Sequence, residues 1–411
     1  MDLIGKKILI VGFGKSGQAA KRYCLEQGAL VTVTDDRFGK HPSNLFEEAD
    51  IIIPSPGVPL TLDGIKRARA MGKPIVGEME LLKFDAPIVA ITGTNGKSTV
   101  TTLIGEMLKA AGKKAPVGGN LGTPLLDMAA NIKGADYVVL EVSSYQLEIS
   151  PTFHPHVAVL LNVTPDHLDR YAGMQEYIDA KALIIKNLTV ADYFIYNADD
   201  SIAAKIAGAS SAKKTGFSAK KIEAKYSAII DKMKMTGAHN KENMYAAAAA
   251  AFICGCDAKS IQRAAETFSG LPHRNQFVRE IGGVKYFDDS KGTNVGAVVK
   301  SLEGFDSKVV LIAGGLDKGG SYNPLKEPVK NKVKALILMG AAREKIAGEL
   351  GALTETVLVD SMAAAVREAA ARALKGDVVL LSPACSSLDM FKDYAERGDK
   401  FAEEVNKLQL V

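Results

Sequence analysis

The sequence predicts an α/β protein of three domains, and three observations carry that reading. Short runs rich in β-branched residues alternate with helical stretches along the whole chain. Two glycine-rich turns follow directly on such runs. The chain has 411 residues, more than one ordinary core accommodates at roughly 150 residues per domain.

The runs are, in order, "KKILIVG", "LVTVTD", "ADIIIPS", "PIVAITG", "YVVLEVS", "VAVLLNV", "YFIYN", "KVVLIAGG", "ALILMG" and "DVVLLSP". Alternation of this kind argues for parallel sheets covered by helices, with ligands gathered at the carboxyl ends of the strands. "LLKFDAP", near residue 85, reads as a linker because Pro87 interrupts any helix. "FSGLPHRNQ", residues 268–276, ends a long alanine-rich helical stretch at Gly270 and Pro272. The expected domains are therefore 1–85, 86–271 and 272–411. Residues 205–236 are rich in Lys, Ala and Ser, with weak patterning, and read as surface structure with little chemistry.

Composition excludes several classes. Hydrophobic residues make up 47% and charged residues 24%, as in an average globular protein. No apolar run reaches the 18 or so residues of a membrane helix. "MDLIGKKILIVGFG" opens on a strand and a glycine turn rather than a leader, so a cytoplasmic protein that binds no membrane is expected. Cys24, Cys254, Cys256 and Cys385 lack zinc-site spacing and read as reduced, packed thiols. A net charge of +4 with no basic stripe does not indicate nucleic acid.

The first turn carries Gly12, Gly14 and Gly17 between the strand "KKILIV" and a helix expected from about Gln18. That is the context in which a helix N-terminus takes a pyrophosphate. "TDDR" follows some 20 residues later, where Asp35 is placed for a ribose hydroxyl or Arg37 for a 2′-phosphate. A nicotinamide-dependent oxidoreductase is the rival reading that this turn supports.

The second turn is "ITGTNGKSTV", residues 91–100. The usual phosphate loop, G-x-x-x-x-G-K-[ST], requires its first glycine at position 91, where Ile91 stands; the glycine comes at 93. Gly93, Thr94, Asn95 and Gly96 nevertheless join a buried strand to an amphipathic helix. Lys97 with the hydroxyls of Ser98 and Thr99 supplies what a triphosphate and Mg²⁺ require. ATP is the expected cofactor.

Downstream, Glu141 ends the run "YVVLE" and is placed like an acid that holds Mg²⁺ opposite a phosphate loop, with Ser143 and Ser144 behind it. His167 in "TPDHLDRY" reads either as a second metal ligand or as a hydrogen-bonded loop residue. Lys181, amid apolar residues in "YIDAKALIIKN", reads by itself as a lysine whose ammonium snorkels to solvent.

"TGTNGKST", "EVSSYQLE", "NVTPDHLDRY" and "YIDAKALI", in this order, resemble the central domain of the Mur ligases, the ATP-dependent enzymes that build the peptide of bacterial peptidoglycan. Their loop has the G-T-N-G-K-[ST] form, so the displaced glycine matches the family's own variant. "VGFGKSG", "SPGV", "GGNLGTP", "HNKENMYAA", "LPHRNQ", "DDSKGTNVGA", "AGGLDKGG" and "LSPACSSLDMFKDYAERG" extend the resemblance over essentially the whole chain. It implies a Rossmann-like N-terminal domain for a UDP-linked substrate. It also implies a P-loop-type central ATPase domain with a parallel sheet, and a Rossmann-like C-terminal domain for the amino acid and part of ATP. The substrates implied are UDP-N-acetylmuramoyl-L-alanine and D-glutamate, joined through an acyl phosphate by a monomeric enzyme. Folylpolyglutamate synthase-like and non-catalytic nucleotide-binding proteins are the other readings.

Carried over by position, the resemblance assigns ATP to the loop from Gly93 to Thr99 and to Asn240, Asn243, Arg274 and Asp289, with His273 beside Arg274. It implies two Mg²⁺ ions near Ser98, Thr99, Glu141, His167 and a carbamylated Lys181. Lys97, Glu141, His167 and Lys181 become the catalytic set. Lys15, Ser16, Asp35, Arg37, Asn120 and Ser143 match the UDP-substrate site. Lys291, Thr293, Lys318, Ser387, Leu388 and Tyr394 match the D-glutamate site, where two lysines suit two carboxylates. Tyr394 stands where some relatives have Phe.

Overall fold

The computed structural model describes residues 1–39, 41–168, 170–235 and 237–409. They form two compact units: Met1–Val163 with Gly173–Met233 and Glu242–Thr267, and Thr164–Ala172 with Lys234–Lys241 and Phe268–Val411.

The first unit holds two sheets. β1 (Lys7–Val11), β2 (Leu30–Thr34) and β3 (Ile51–Pro54) pair in parallel in the order β2-β1-β3. β4 (Ile88–Thr92), β5 (Val117–Gly119), β6 (Val138–Glu141), β7 (Val157–Leu160), β8 (Tyr193–Asn197) and β9 (Lys213–Phe217) form an all-parallel sheet in the order β5-β6-β4-β7-β8-β9. Every residue of β4, β6 and β7 is buried, which explains the apolar runs that fill them up to Thr92 and Glu141 at the carboxyl ends of β4 and β6: helices cover both faces. The strand order reverses at β4, flanked by β6 and β7, so a crevice opens at its carboxyl end.

The helix Lys97–Ala110 leaves that end and buries nine of its residues, Val100, Leu103, Ile104 and Met107 among them. The helix Ala258–Thr267 returns from far along the chain to cover it, and Arg263 Nη2 donates to Ala110 O at 2.8 Å, capping a terminal carbonyl with a cation.

In the second unit β10 (Gln276–Ile281) and β11 (Val284–Asp288) form an antiparallel hairpin. β12 (Val309–Gly314), β13 (Val333–Met339), β14 (Glu355–Leu358) and β15 (Val378–Leu381) continue the sheet in parallel, in the order β10-β11-β15-β12-β13-β14. Val309, Leu311, Leu336, Leu338, Val378 and Leu380 face one core. Val310, Ile312, Ala335, Ile337, Val379 and Leu381 face the other. Alternate residues are thus buried on both sides of one sheet.

All ten β-branched runs contain strands, and the α/β class with parallel sheets holds. β5, β9, β10, β11 and β14 were absent from the runs. β5 is a three-residue "VGG", while β9 and β14 are half-exposed edge strands with polar residues, so neither carries a strong apolar pattern. Residues 205–236 contain β9 and the helix Ala224–Ile230, more regular structure than their patterning suggested. The helix expected from about Gln18 begins at Lys15. All four cysteines are buried thiols. Among the described residues, no helix is long and apolar enough to cross a membrane.

Candidate active site

The phosphate loop lies between β4 and the helix Lys97–Ala110, where the first N–H groups of a helix have no partner inside it. Gly96 is the cap of that helix at φ +86°. A Cβ there would fall 2.4 Å from Asn243 Oδ1, so only glycine allows both the turn and that approach. Asn162, just past β7, clamps the loop: its O and Oδ1 accept from Thr94 N at 2.9 Å and Asn95 N at 2.8 Å, and its Nδ2 donates to Asn95 O at 3.1 Å. Sequence reasoning passed over this residue, whose signal is an amide closing the apolar run "VAVLLN".

Two lysines converge on one carbonyl. Lys97 Nζ donates to Gly93 O at 2.9 Å and Thr94 O at 2.8 Å. Lys181 Nζ, from the helix Met174–Ala182, donates to the same Gly93 O at 2.8 Å. Lys181 is 2% exposed, which corrects the reading of a snorkelling side chain. Tyr177, one turn earlier, holds its ring centroid 4.6 Å from Lys181 Nζ and its hydroxyl 3.2 Å from Thr94 Oγ1. Burying an ammonium is costly unless oxygens and an aromatic face receive it.

Ile91 pairs in register with Glu141, so the Glu141 carboxylate stands one strand from the start of the loop. It is 3% exposed, and Asn120 Nδ2 donates to its Oε1 at 2.8 Å. Ser98 and Thr99 are buried in the first turn of the loop helix. These are hard oxygen donors, few in number, as suits Mg²⁺, which keeps waters and shares ligands with substrate phosphates. Among the described residues, no group of three or more His, Cys, Asp or Glu side chains forms a metal cage. Ser143 caps the helix Ser144–Glu148 in a reciprocal box: its Oγ accepts from Gln146 N at 3.3 Å, and Gln146 Oε1 accepts from Ser143 N at 2.9 Å.

At the first glycine turn, Asp35 Oδ2 accepts from Phe13 N at 2.5 Å and Asp35 Oδ1 from Arg37 Nε at 2.6 Å. The Arg37 guanidinium and these N–H groups hold the Asp35 carboxyl well below the usual carboxylate range. Lys15 and Ser16 begin the helix Lys15–Glu26. Asp35 and Arg37 thus brace the turn that Lys15 and Ser16 leave.

The second unit holds the remaining residues apart from Asn243. His167 takes φ +57° beside Asp166, whose Oδ1 accepts from His167 N at 2.9 Å and from Lys318 Nζ at 3.2 Å. Asn294 Nδ2 donates to Asp166 Oδ2 at 3.1 Å. Lys291 Nζ lies 3.7 Å from the Tyr394 ring centroid. Thr293 follows two residues after Lys291, whose O accepts from Thr293 N at 2.8 Å. Ser387 O accepts from the backbone N–H groups of Met390 and Phe391, and Leu388 is exposed. His273 pairs with Asp288 at 2.7 Å rather than with Asp289, and Arg274 follows it at the entry to β10. Asn240 and Asn243 share the helix Ala238–Ile253 three residues apart, and so one face of it.

Asp289 accepts from Ser301 Oγ at 2.6 Å, Ser382 Oγ at 2.7 Å and Asn275 N at 3.3 Å. Burial outweighs these bonds and pushes its carboxyl up to about 6. A raised carboxyl favours folding fully below the ordinary range near 4, and that contribution is lost as pH rises to 6. It amounts to about 3 kcal/mol. Melting temperature is expected to fall over this window, and Asp289→Asn to flatten the fall; an identical profile for both proteins would refute it.

Two family models match this chain: Mur ligase middle domain over residues 91–251, and Mur ligase, glutamate ligase domain, over residues 273–385. A UDP-N-acetylmuramoylalanine–D-glutamate ligase of Geotalea uraniireducens is 45% identical, covering 99% of this chain and 99% of the relative. The chain belongs to the Mur ligase family. A Geobacter metallireducens protein of the same name is 44% identical, again over 99% of both. Among solved structures, a pseudomurein peptide ligase type C from Methanothermus fervidus aligns with a TM-score of 0.65 at 20% identity, covering 98% of this chain and 100% of that one. A MurF ligase from Thermotoga maritima in complex with ADP aligns at 0.61 and 19% identity, covering 99% and 96%. These two likenesses concern the fold. As a Mur ligase, the chain places the variant loop, Glu141 and Lys181 within its matched middle domain, and Asp289, Lys291, Thr293 and Lys318 within its matched glutamate ligase domain.

Proposed function

We propose that this Mur ligase joins D-glutamate to UDP-N-acetylmuramoyl-L-alanine with ATP, in peptidoglycan synthesis. The observation that carries the reading is full-length identity of 45% to a relative bearing that activity as its name. The domains are 1–85 for the UDP substrate, 86–271 for ATP and 272–411 for the amino acid. The free carboxylate of the UDP-linked substrate takes the γ-phosphoryl group of ATP, giving an acyl phosphate and ADP. The D-glutamate amine then displaces phosphate and forms the amide.

The chain's own groups have distinct work. Lys97 and the loop N–H groups bind and neutralise phosphate oxygens, a role that the two carbonyl bonds of its ammonium prefigure. Ser98, Thr99 and Glu141 would hold Mg²⁺, with Lys181 as a carbamate, and His167 is proposed as a metal ligand by the resemblance. Bound Mg²⁺ supplies charge neutralisation on the phosphate oxygens. Lys291 and Lys318 would receive the two carboxylates of glutamate and leave its amine free to attack. Asp35, Arg37, Lys15, Ser16, Asn120 and Ser143 would orient the UDP-linked substrate. The enzyme works as a cytoplasmic monomer.

The test is phosphate release with ATP, Mg²⁺ and UDP-N-acetylmuramoyl-L-alanine, with D-glutamate, L-glutamate, or folate plus L-glutamate added in parallel. Release is expected only with D-glutamate, together with a UDP-linked product one glutamate heavier. Release with folate instead would replace the substrate assignment.

A further inference from the structure

The loops after β11 and β15 carry Lys291, Thr293 and Ser387, and one buried side chain joins them. Arg397 lies on the helix Tyr394–Lys407, in "YAERGDKF", where its neighbours read as a solvated helix face. It is 1% exposed, the largest of the fully buried side chains. Its Nε donates to Ser290 Oγ at 2.9 Å, its Nη2 to Ser290 O at 2.8 Å and its Nη1 to Cys385 O at 3.2 Å. Ser290 Oγ in turn donates to Tyr394 O at 2.8 Å. A single guanidinium thus ties the loop after β11, the loop after β15 and the first residue of its own helix. Tyr394 is also the residue whose ring lies under Lys291 Nζ.

Two further observations point the same way. Ala384 N donates to Gly292 O at 2.9 Å, so the two loops touch, and Ala384 is held at φ +61°. That conformation costs about 1–2 kcal/mol in an L-residue. It persists beside Cys385, whose carbonyl Arg397 holds. Gly398, the next residue, comes so close to the His273–Asp288 pair that a Cβ would fall 2.3 Å from His273 Nδ1. A buried guanidinium is costly to desolvate, and an apolar side chain would fill the same space. A planar fork with donors in three directions is what the loops require, and a lysine cannot reproduce it.

We propose that Arg397 is a positioning residue for the amino-acid substrate, setting the spacing of Lys291, Thr293 and Ser387 without touching it. This rests on the D-glutamate ligase reading above. Arg397→Lys keeps the charge and loses the fork; Ser290→Ala leaves the guanidinium and removes its relay to Tyr394. In both, the KM for D-glutamate is expected to rise ~10–100-fold, while the KM for the UDP-linked substrate stays at the wild-type value. A merely structural role would lower the amount of folded, active enzyme and leave the KM for D-glutamate unmoved. Thermal melts identify the folded variants to be compared. Wild type showing no D-glutamate-dependent phosphate release overturns the substrate reading and this inference together. Wild-type release with an unchanged KM in a folded variant overturns the role of Arg397 alone.

Discussion

Lys181→Ala is expected to lower turnover ~10²–10³-fold, with short carboxylic acids restoring part of the loss. In this structure the lysine is almost fully buried and ends on Gly93 O of the phosphate loop. Lys97 holds the same carbonyl, so the loop keeps one anchor when Lys181 is removed. A loss of turnover then reports on chemistry more than on unfolding. Rescue by a small carboxylate distinguishes a carbamylated lysine, whose carboxylate-like group is replaced, from a lysine needed only as a cation. Full activity in the variant would sink the catalytic role, and rescue by small amines instead of carboxylates would overturn the carbamate.

Lys97→Met should abolish ATP-dependent phosphate release, by ~10³-fold or more, while UDP-substrate binding persists. The methionine fills most of the volume and removes the charge with its two carbonyl hydrogen bonds, while Asn162 and Lys181 still brace the loop. Isothermal titration with ATP and with the UDP-linked substrate separates the two effects. Retained turnover, or equal loss of both affinities, would contradict the assignment of Lys97 to phosphate.

What the chain's letters revealed followed burial. Strands enclosed on both faces, such as β4 and β7, were legible because burial on both sides demands apolar residues at successive positions. The edge strands β9 and β14 were not, because water on one side permits "KKTGF" and "ETVL". Within the candidate site, Lys97, Ser98, Thr99 and Glu141 stood out because charged and hydroxyl side chains directly at the end of a buried apolar run are conspicuous in a sequence. Lys181 was misread from its residues alone, since whether a lysine among apolar neighbours finds solvent depends on what the third dimension lays over it. Asn162 and Arg397 were missed for the same reason: their partners lie 67 and 107 residues away in sequence. Those separations leave no local pattern.

The helix Ala258–Thr267 covering Lys97–Ala110 has a consequence for biosynthesis. A ribosome delivers the chain from its N-terminus, and domains generally fold as they emerge. The sheet built from β1, β2 and β3 needs nothing beyond Val76 and Leu126 to enclose the core around Ile8 and Ile10. The loop helix is different, because the helix capping Ala110 O is translated about 150 residues later. Nascent chains halted before Thr267 therefore carry an incompletely covered loop helix, a segment for chaperones to shield until about two thirds of the 411 residues have left the tunnel.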